Sequence, residues 1–225
     1  MNKKVLVVVA HPDDEVLGCG GTIAKHIHNG DKVSVLILAD GETSRLSTNV
    51  ENRIVQRHKA AELATQALGV NDLFVCKYLD NSLDTIPLLT LVKEIENVFS
   101  QFNPEIIYTH TSKDVNIDHR LVHDAVIAAA RPQPSEGIKE IYFFEIPSST
   151  EYRPPASLNA FSPNLFVDIA KFLEIKALSL SHYQNELREF PHPRSIEAIN
   201  SLAKWRGASV GVFAAEAFEV ARIIR

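Results

Sequence analysis

Cysteine is nearly absent from this chain. Its 225 residues hold two, Cys19 and Cys76, which excludes a disulfide framework and fits a reducing compartment. A basic surplus is missing too. Lys and Arg number 23 against 28 Asp and Glu, so no positive field awaits nucleic acid or an anionic membrane. The aromatic residues are not interleaved with Lys or Arg in any run, which also argues against nucleic-acid binding. No apolar run approaches the ~20 residues of a membrane span. Lys3 and Lys4 precede the apolar Val5–Val9, but that stretch is short. His11-Pro12-Asp13-Asp14 also stands where a small-residue cleavage site belongs, so no secretory signal is read there. The expectation is a cytoplasmic protein with no nucleic-acid partner and no integral membrane segment. A homo-oligomer stays open.

What the chain does have is apolar residues, 45% of its composition, enough to bury a core. They fall into alternating runs. Val5–Val9, Val33–Leu38, Leu73–Lys77, Glu105–Thr109, Ile141–Glu145 and Leu165–Asp168 read as strands. Val16–His28, Arg53–Leu68, Leu88–Phe102, Leu121–Ala130, Lys171–Glu186 and Ser195–Arg206 read as helices. Continuous apolar strands alternating with helices predict an α/β fold: a Rossmann-like, doubly wound, mostly parallel sheet with helices on both faces. No repeat or linker divides residues 1–225, so a single domain is expected. Gly41–Asn49 is polar and reads as a lid, and the Pro- and Ser-rich Pro147–Pro163 as a surface loop.

In such sheets ligands bind beyond the carboxyl ends of the strands. Polar residues recur there: His11, Asp13 and Asp14 after the first strand, Asp40 and Glu42 after the second, Asp80 after the third. His110, Asp114, Asn116, Asp118 and His119 follow the fourth, and Glu145 ends the fifth. His11 and Asp14 lie three apart across a strand-to-helix turn. Both can reach one ion there, and the pair suits zinc, which needs a third protein ligand and an open position for catalysis. Acids at a helix start also complement its dipole, which accounts for Asp13, Asp14 or Glu15 but not for His11. His119 and His123, four apart, share a helix face. Without the Glu of HExxH they are not the metalloprotease motif, and His123 is equally a packing residue. Asp118 is a candidate helix cap, and His110 a candidate for the pocket wall. Gly18-Cys19-Gly20-Gly21 is neither a P-loop nor GxGxxG. It reads as close helix packing, with Cys19 a small packed residue.

Two stretches together carry a resemblance. Ala10–Glu15 (AHPDDE) and Asp114–His119 (DVNIDH) resemble the paired signatures of the PIG-L/LmbE-type zinc-dependent de-N-acetylases. Val35–Glu42, Arg57 and Ala67–Val70 are similar to the segments between. The likeness runs from about Val5 to Ala130 and more loosely to the C-terminus, where HPRS (His192–Ser195) and EAFE (Glu216–Glu219) look like family tail features. The resemblance implies one zinc ion per chain held by His11, Asp14 and His119, with Asp13 as general base. It implies that Arg57 and Asp80 hold sugar hydroxyls, and that the substrate is an N-acetylated sugar or glycoconjugate. His123 is not a ligand in that scheme. It stands behind the site, as does Asp118.

One position departs from the pattern. Many family members carry a histidine three residues before the DH histidine, and here it is Asn116. Asparagine donates a hydrogen bond but cannot shuttle a proton. Asn116 is therefore expected to support the oxyanion, Asp13 to both take and return the proton, and His110 to be a lesser candidate. Two other readings stay open: a non-catalytic sugar- or nucleotide-binding domain on the same fold, and a metal-dependent phosphoesterase using Asp114, Asp118 and Glu42 for a second ion. The glycine-rich stretch, HPRS and EAFE receive no chemistry. Phe213 and Phe218 are core residues by default, with the pocket wall as the alternative.

Overall fold

The computed structural model describes residues 2–44, 49–132, 137–154 and 160–225. One sheet of seven strands organises it, in the order β3-β2-β1-β4-β5-β7-β6. β1 (Lys4–Val9), β2 (Lys32–Ala39), β3 (Asp72–Tyr78), β4 (Ile106–His110) and β5 (Glu140–Phe144) are parallel. β7 (Ala215–Ile223) runs antiparallel between β5 and β6 (Leu165–Asp168). The helices are α1 (Asp14–His28), α2 (Val50–Leu68), α3 (Leu88–Phe102), α4 (Ile117–Ala129), α5 (Leu173–Ser181) and α6 (Ile196–Ala208).

Strand alternation sends successive side chains to opposite faces, and β1 shows the consequence. Val5, Val7 and Val9 enter a core with α1, α2 and α5. Leu6 and Val8 enter a second core with α3 and α4. Both faces are covered, so β1 is buried along nearly its whole length, which is why it reads as a continuous apolar run. The strand order reverses between β1 and β4, because β2 and β3 lie to one side of β1 and β4 and β5 to the other. That reversal opens a crevice at the carboxyl ends of β1 and β4, where HPDDE and DVNIDH leave the sheet.

The main departure from the sequence reading is β7. Its alternating Ala-Glu-Ala-Phe-Glu-Val pattern was expected to be only a tail feature. The structure makes it the antiparallel strand that closes the sheet against β6, with Phe218 fully buried. The helix expected over Lys171–Glu186 splits into a short 3-10 turn, α5, and an irregular segment after Ser181.

Glu216 of β7 explains the glycine-rich stretch. α1 breaks at Cys19 (φ −150°, ψ 25°), which frees amides that would otherwise bond within the helix. Glu216 accepts from the N–H groups of Gly21 and Thr22 at 2.9 and 2.7 Å. Lys176 donates to the freed Leu17 carbonyl and to Glu216 at 2.9 and 2.6 Å. The helix also lies tight on its neighbours. A Cβ at Gly18 would meet the Phe144 ring at 2.5 Å, and one at Gly21 would meet Ile169 at 2.8 Å. Cys19 is fully buried, and burial raises its pKa well above the ordinary value, so it packs rather than reacts.

Removing one partner of a buried ion pair leaves an uncompensated charge. Glu216→Ala is expected to destabilise the fold by roughly 3–5 kcal/mol in urea unfolding. Glu197→Ala, on the exposed face of α6, should stay within about 0.5 kcal/mol.

Candidate metal centre and active site

Between β1 and α1 the chain turns sharply. Asp13 has φ 117°, ψ −26°, a backbone region that side chains rarely occupy. The turn is held by local carboxylates. Asp13 N–H donates to Glu15 at 3.0 Å, and His11 N–H donates to Asp14 at 2.9 Å. Asp14 is thereby fixed with no solvent exposure. Its Oδ2 lies 3.4 Å from His11 Nδ1 and 3.4 Å from His119 Nε2. The ligand atoms of His11, Asp14 and His119 all lie within 4.8 Å of one another.

Two facts fit this group to a metal ion. Asp14 Oδ1 and His119 Nε2 are buried and make no hydrogen bond among the described residues, whereas buried polar atoms normally find partners. The outer nitrogens of both histidines are also held by carboxylates, the arrangement that orients metal-binding imidazoles. His11 Nε2 lies 3.0 Å from Asp118 and 3.1 Å from Asp80. His119 Nδ1 lies 3.2 Å from Asp114. Those carboxylates are anchored in turn. Asp118 accepts from the N–H groups of Asn81 and Leu83 at 2.8 and 3.1 Å. Asp114 accepts from Ser149 Oγ, Thr150 Oγ1 and Asn116 N–H at 2.5, 2.7 and 2.8 Å. His11, Asp80 and Asp118 also cluster closely enough to suggest a cation. The amides already on Asp118 and the imidazole it shares make that cluster the support of His11.

Above this group lies a polar cavity of about 130 Å³ lined by His11, Asp13, Arg57, Asp80, Asn116 and Arg194, among others. Asp13 Oδ2 takes Arg194 Nη1 at 3.0 Å and Arg57 Nη2 at 3.3 Å. Its Oδ1 is buried and has no hydrogen bond among the described residues. Burial raises the Asp13 pKa, and the two arginines pull against it. Arg57, itself buried, also reaches Glu42 and Glu186. Asn116 Oδ1 caps α4 by accepting from Asp118 N–H at 2.8 Å, which leaves its amide nitrogen as a donor on the cavity wall.

Residues 6–130 match the family model described as PIG-L, GlcNAc-PI de-N-acetylase. The chain belongs to the PIG-L family. A probable N-acetyl-alpha-D-glucosaminyl L-malate deacetylase 2 of Bacillus cereus is 31% identical over 157 residues, 67% of this chain and 71% of the relative. A 4-oxalmesaconate hydratase of Pseudomonas putida is also 31% identical, over 180 residues, 71% of this chain and 68% of the relative. The N,N′-diacetylchitobiose deacetylase of Pyrococcus horikoshii superposes with a TM-score of 0.80 at 22% identity, covering 98% of this chain and 84% of that one. That likeness bears on the fold. The PIG-L resemblance drawn from AHPDDE and DVNIDH therefore holds, and the relatives this chain is similar to carry the names of more than one reaction.

Several residues of this PIG-L chain lie elsewhere than the sequence suggested. His110 does not line the cavity. It is fully buried, stacked at 4.1 Å on His119, and its Nε2 accepts from Ala10 N–H at 3.0 Å. Burial and the neighbouring His119 lower its pKa well below the usual histidine value, so it is a neutral packing partner. Asp118 is not the helix cap, because Asn116 caps α4. His123 lies farther back, its Nδ1 2.9 Å from the His110 carbonyl oxygen and its ring on Phe143. Phe213 is 68% exposed and forms no part of the core. In the expected lid Gly41–Asn49, residues 45–48 lie outside the described residues. Asp40 holds Glu42 and Thr43 through their N–H groups, and Ser44 donates to Asp80. The expected surface loop Pro147–Pro163 has residues 155–159 outside the description. Its Ser149 and Thr150 are buried against Asp114.

Sequence reasoning missed the orienting role of Asp114, although it stands in the same motif as His119. It also missed Ser149, Glu186 and Arg194, which come from distant segments and carry no local signal.

Asp114→Ala and Asp118→Ala are each expected to weaken metal binding about 10- to 100-fold, measured by competition with a chromogenic chelator. Asp14→Ala should abolish it. Protons should also compete with the metal. Burial disfavours charged His119, but Asp14 and Asp114 outweigh it and push its pKa to about 9. In the metal-free protein at pH 7 the ring is charged, and a metal ligand must be neutral. Zinc uptake should therefore release protons, with affinity rising towards pH 9. Calorimetry in buffers of different ionisation enthalpy reads this directly.

Proposed function

We propose that this chain is a metal-dependent amide hydrolase that removes the acetyl group from an N-acetylated amino sugar or its conjugate, using one zinc ion held by His11, Asp14 and His119. The observation that carries the reading is Asp13. A buried carboxylate has one oxygen fixed by two guanidinium groups and the other without a hydrogen bond among the described residues, beside a group of residues able to hold a metal. A domain that only bound sugars has no use for that pairing. When bound, zinc lowers the pKa of a coordinated water to about 7 and polarises the acyl carbonyl.

The chain's own residues supply the rest. Asp13 Oδ1 accepts the proton of the attacking water as its oxygen bonds to the acyl carbon. The same proton then passes to the amine as the C–N bond breaks. Among the described residues the one histidine on the cavity wall is His11, a metal ligand in this reading, and Asn116 occupies the position expected to hold another. The Asn116 amide donates to the acyl oxygen as it gains charge, and such a donor is worth about 2.7–4 kcal/mol in the transition state. Arg57 and Asp80 fit ring hydroxyls. The deacetylase relative supports an N-acetylglucosaminyl substrate. A phosphoesterase would need a second ion about 3.5–4 Å from the first. The only other cation-like cluster among the described residues is spent on orienting His11.

The test couples elemental analysis of the purified protein to amine release from N-acetylglucosamine derivatives. About one zinc per chain is expected, with turnover that falls by at least 10³-fold in Asp13→Ala while zinc is retained. Hydration of 4-oxalmesaconate without amine release would replace this reading with that of the hydratase relative.

A further inference from the structure

Arg194 belongs to the tail stretch His192–Ser195, to which the sequence attaches no chemistry. The structure places its guanidinium in the wall of the catalytic cavity. Nη1 donates to Asp13 Oδ2 at 3.0 Å and to Glu186 Oε2 at 3.3 Å, and Nε donates to Ser148 Oγ at 2.6 Å. Its backbone is equally fixed. Arg194 N–H donates to His192 Nδ1 at 3.0 Å, and the next residue, Ser195, caps α6 by accepting from Ala198 N–H at 3.0 Å.

We propose that Arg194 is a positioning residue for Asp13. It holds Oδ2 so that Oδ1 stays turned to the cavity as the proton acceptor. The proposal rests on the reading of Asp13 as the general base. The torsion that carries a carboxylate is broad, so a lone carboxylate sweeps a wide range of orientations and its lone pairs are not aimed. Two donors on one oxygen remove that freedom. Arg57 is the second donor, at the longer distance of 3.3 Å. It is also tied to Glu42 and Glu186, so its loss would strip a cation from three buried carboxylates. Arg194 is the separable member of the pair. Its side chain is 22% exposed against 5% for Arg57, and its loss leaves Asp13 with Arg57 as counter-charge.

The experiment is a double-mutant cycle on zinc-loaded protein, with N-acetylglucosamine and N,N′-diacetylchitobiose as probes and amine release as readout. The variants are Arg194→Ala, Arg194→Lys, Asp13→Asn and the Arg194→Ala/Asp13→Asn pair. Arg194→Ala should lower kcat about 10- to 100-fold, the scale of a misplaced reacting group, with KM within about twofold and with zinc content and Tm unchanged. Arg194→Lys should recover part of the loss. In the Asp13→Asn background, Arg194→Ala should cost nothing more, because its effect passes through Asp13. Losses that multiply in the pair, or a raised KM with normal kcat, would overturn the proposal and give Arg194 a direct substrate contact. Wild-type protein that holds zinc but releases no amine from either probe would instead remove the hydrolase reading. Normal turnover in Asp13→Asn would remove the base assignment. Both failures are distinct from a failed cycle.

Discussion

The buried carboxylate of Asp14 is the constraint on which the rest of this structure depends. It has no solvent exposure, and an ionised carboxylate out of water is tolerated only when paired or bound to a metal. Among the described residues imidazoles surround it, and no lysine or arginine lies within ion-pair distance. Protonated His119 balances that charge in the metal-free protein, and a bound cation would take the proton's place. The placement follows from topology. Only at the reversal between β1 and β4 do two strand ends diverge enough to bring HPDDE and DVNIDH together.

From that point the structure reads as layers of support. Asp118 and Asp114 fix the two histidines, and each is held by a segment distant in sequence. Backbone amides after β3 hold Asp118, and hydroxyls after β5 hold Asp114. The C-terminal third contributes in the same way. Arg194 reaches Asp13 from beyond α5 with Glu186 accepting from it, and Glu216 on β7 closes the break in α1. The ends of five strands and the tail therefore converge on a group built from six residues of sequence at a time.

Much of this could be read in the chain beforehand, for identifiable reasons. Buried parallel strands leave continuous apolar runs, so β1 to β5 were legible. Strand β7 was not, because its alternating Ala and Glu residues look like a polar tail until β5 and β6 flank it. The group able to hold a metal was legible because its members cluster in short motifs at strand ends. The orienting role of Asp114 was not, because a carboxylate beside an imidazole looks in sequence like any acid near a helix start. Asp118, expected both behind the site and as a cap, lies against His11 and leaves the cap to Asn116. His110 is the converse, a strand-end histidine whose position suggests a pocket but whose ring packs behind His119.

Family membership fixes the frame, while the choice of reaction rests on what the cavity holds beside the metal group. In this reading the ion sits between Asp14 and His119, and the acids beyond His11 orient it without binding the ion. A zinc-edge anomalous difference map from crystals of the purified protein tests this most directly. The account predicts one strong peak contacting His11 Nδ1, Asp14 and His119 Nε2. A peak on the far side of His11, between Asp80 and Asp118, or no peak after zinc reconstitution, would contradict it.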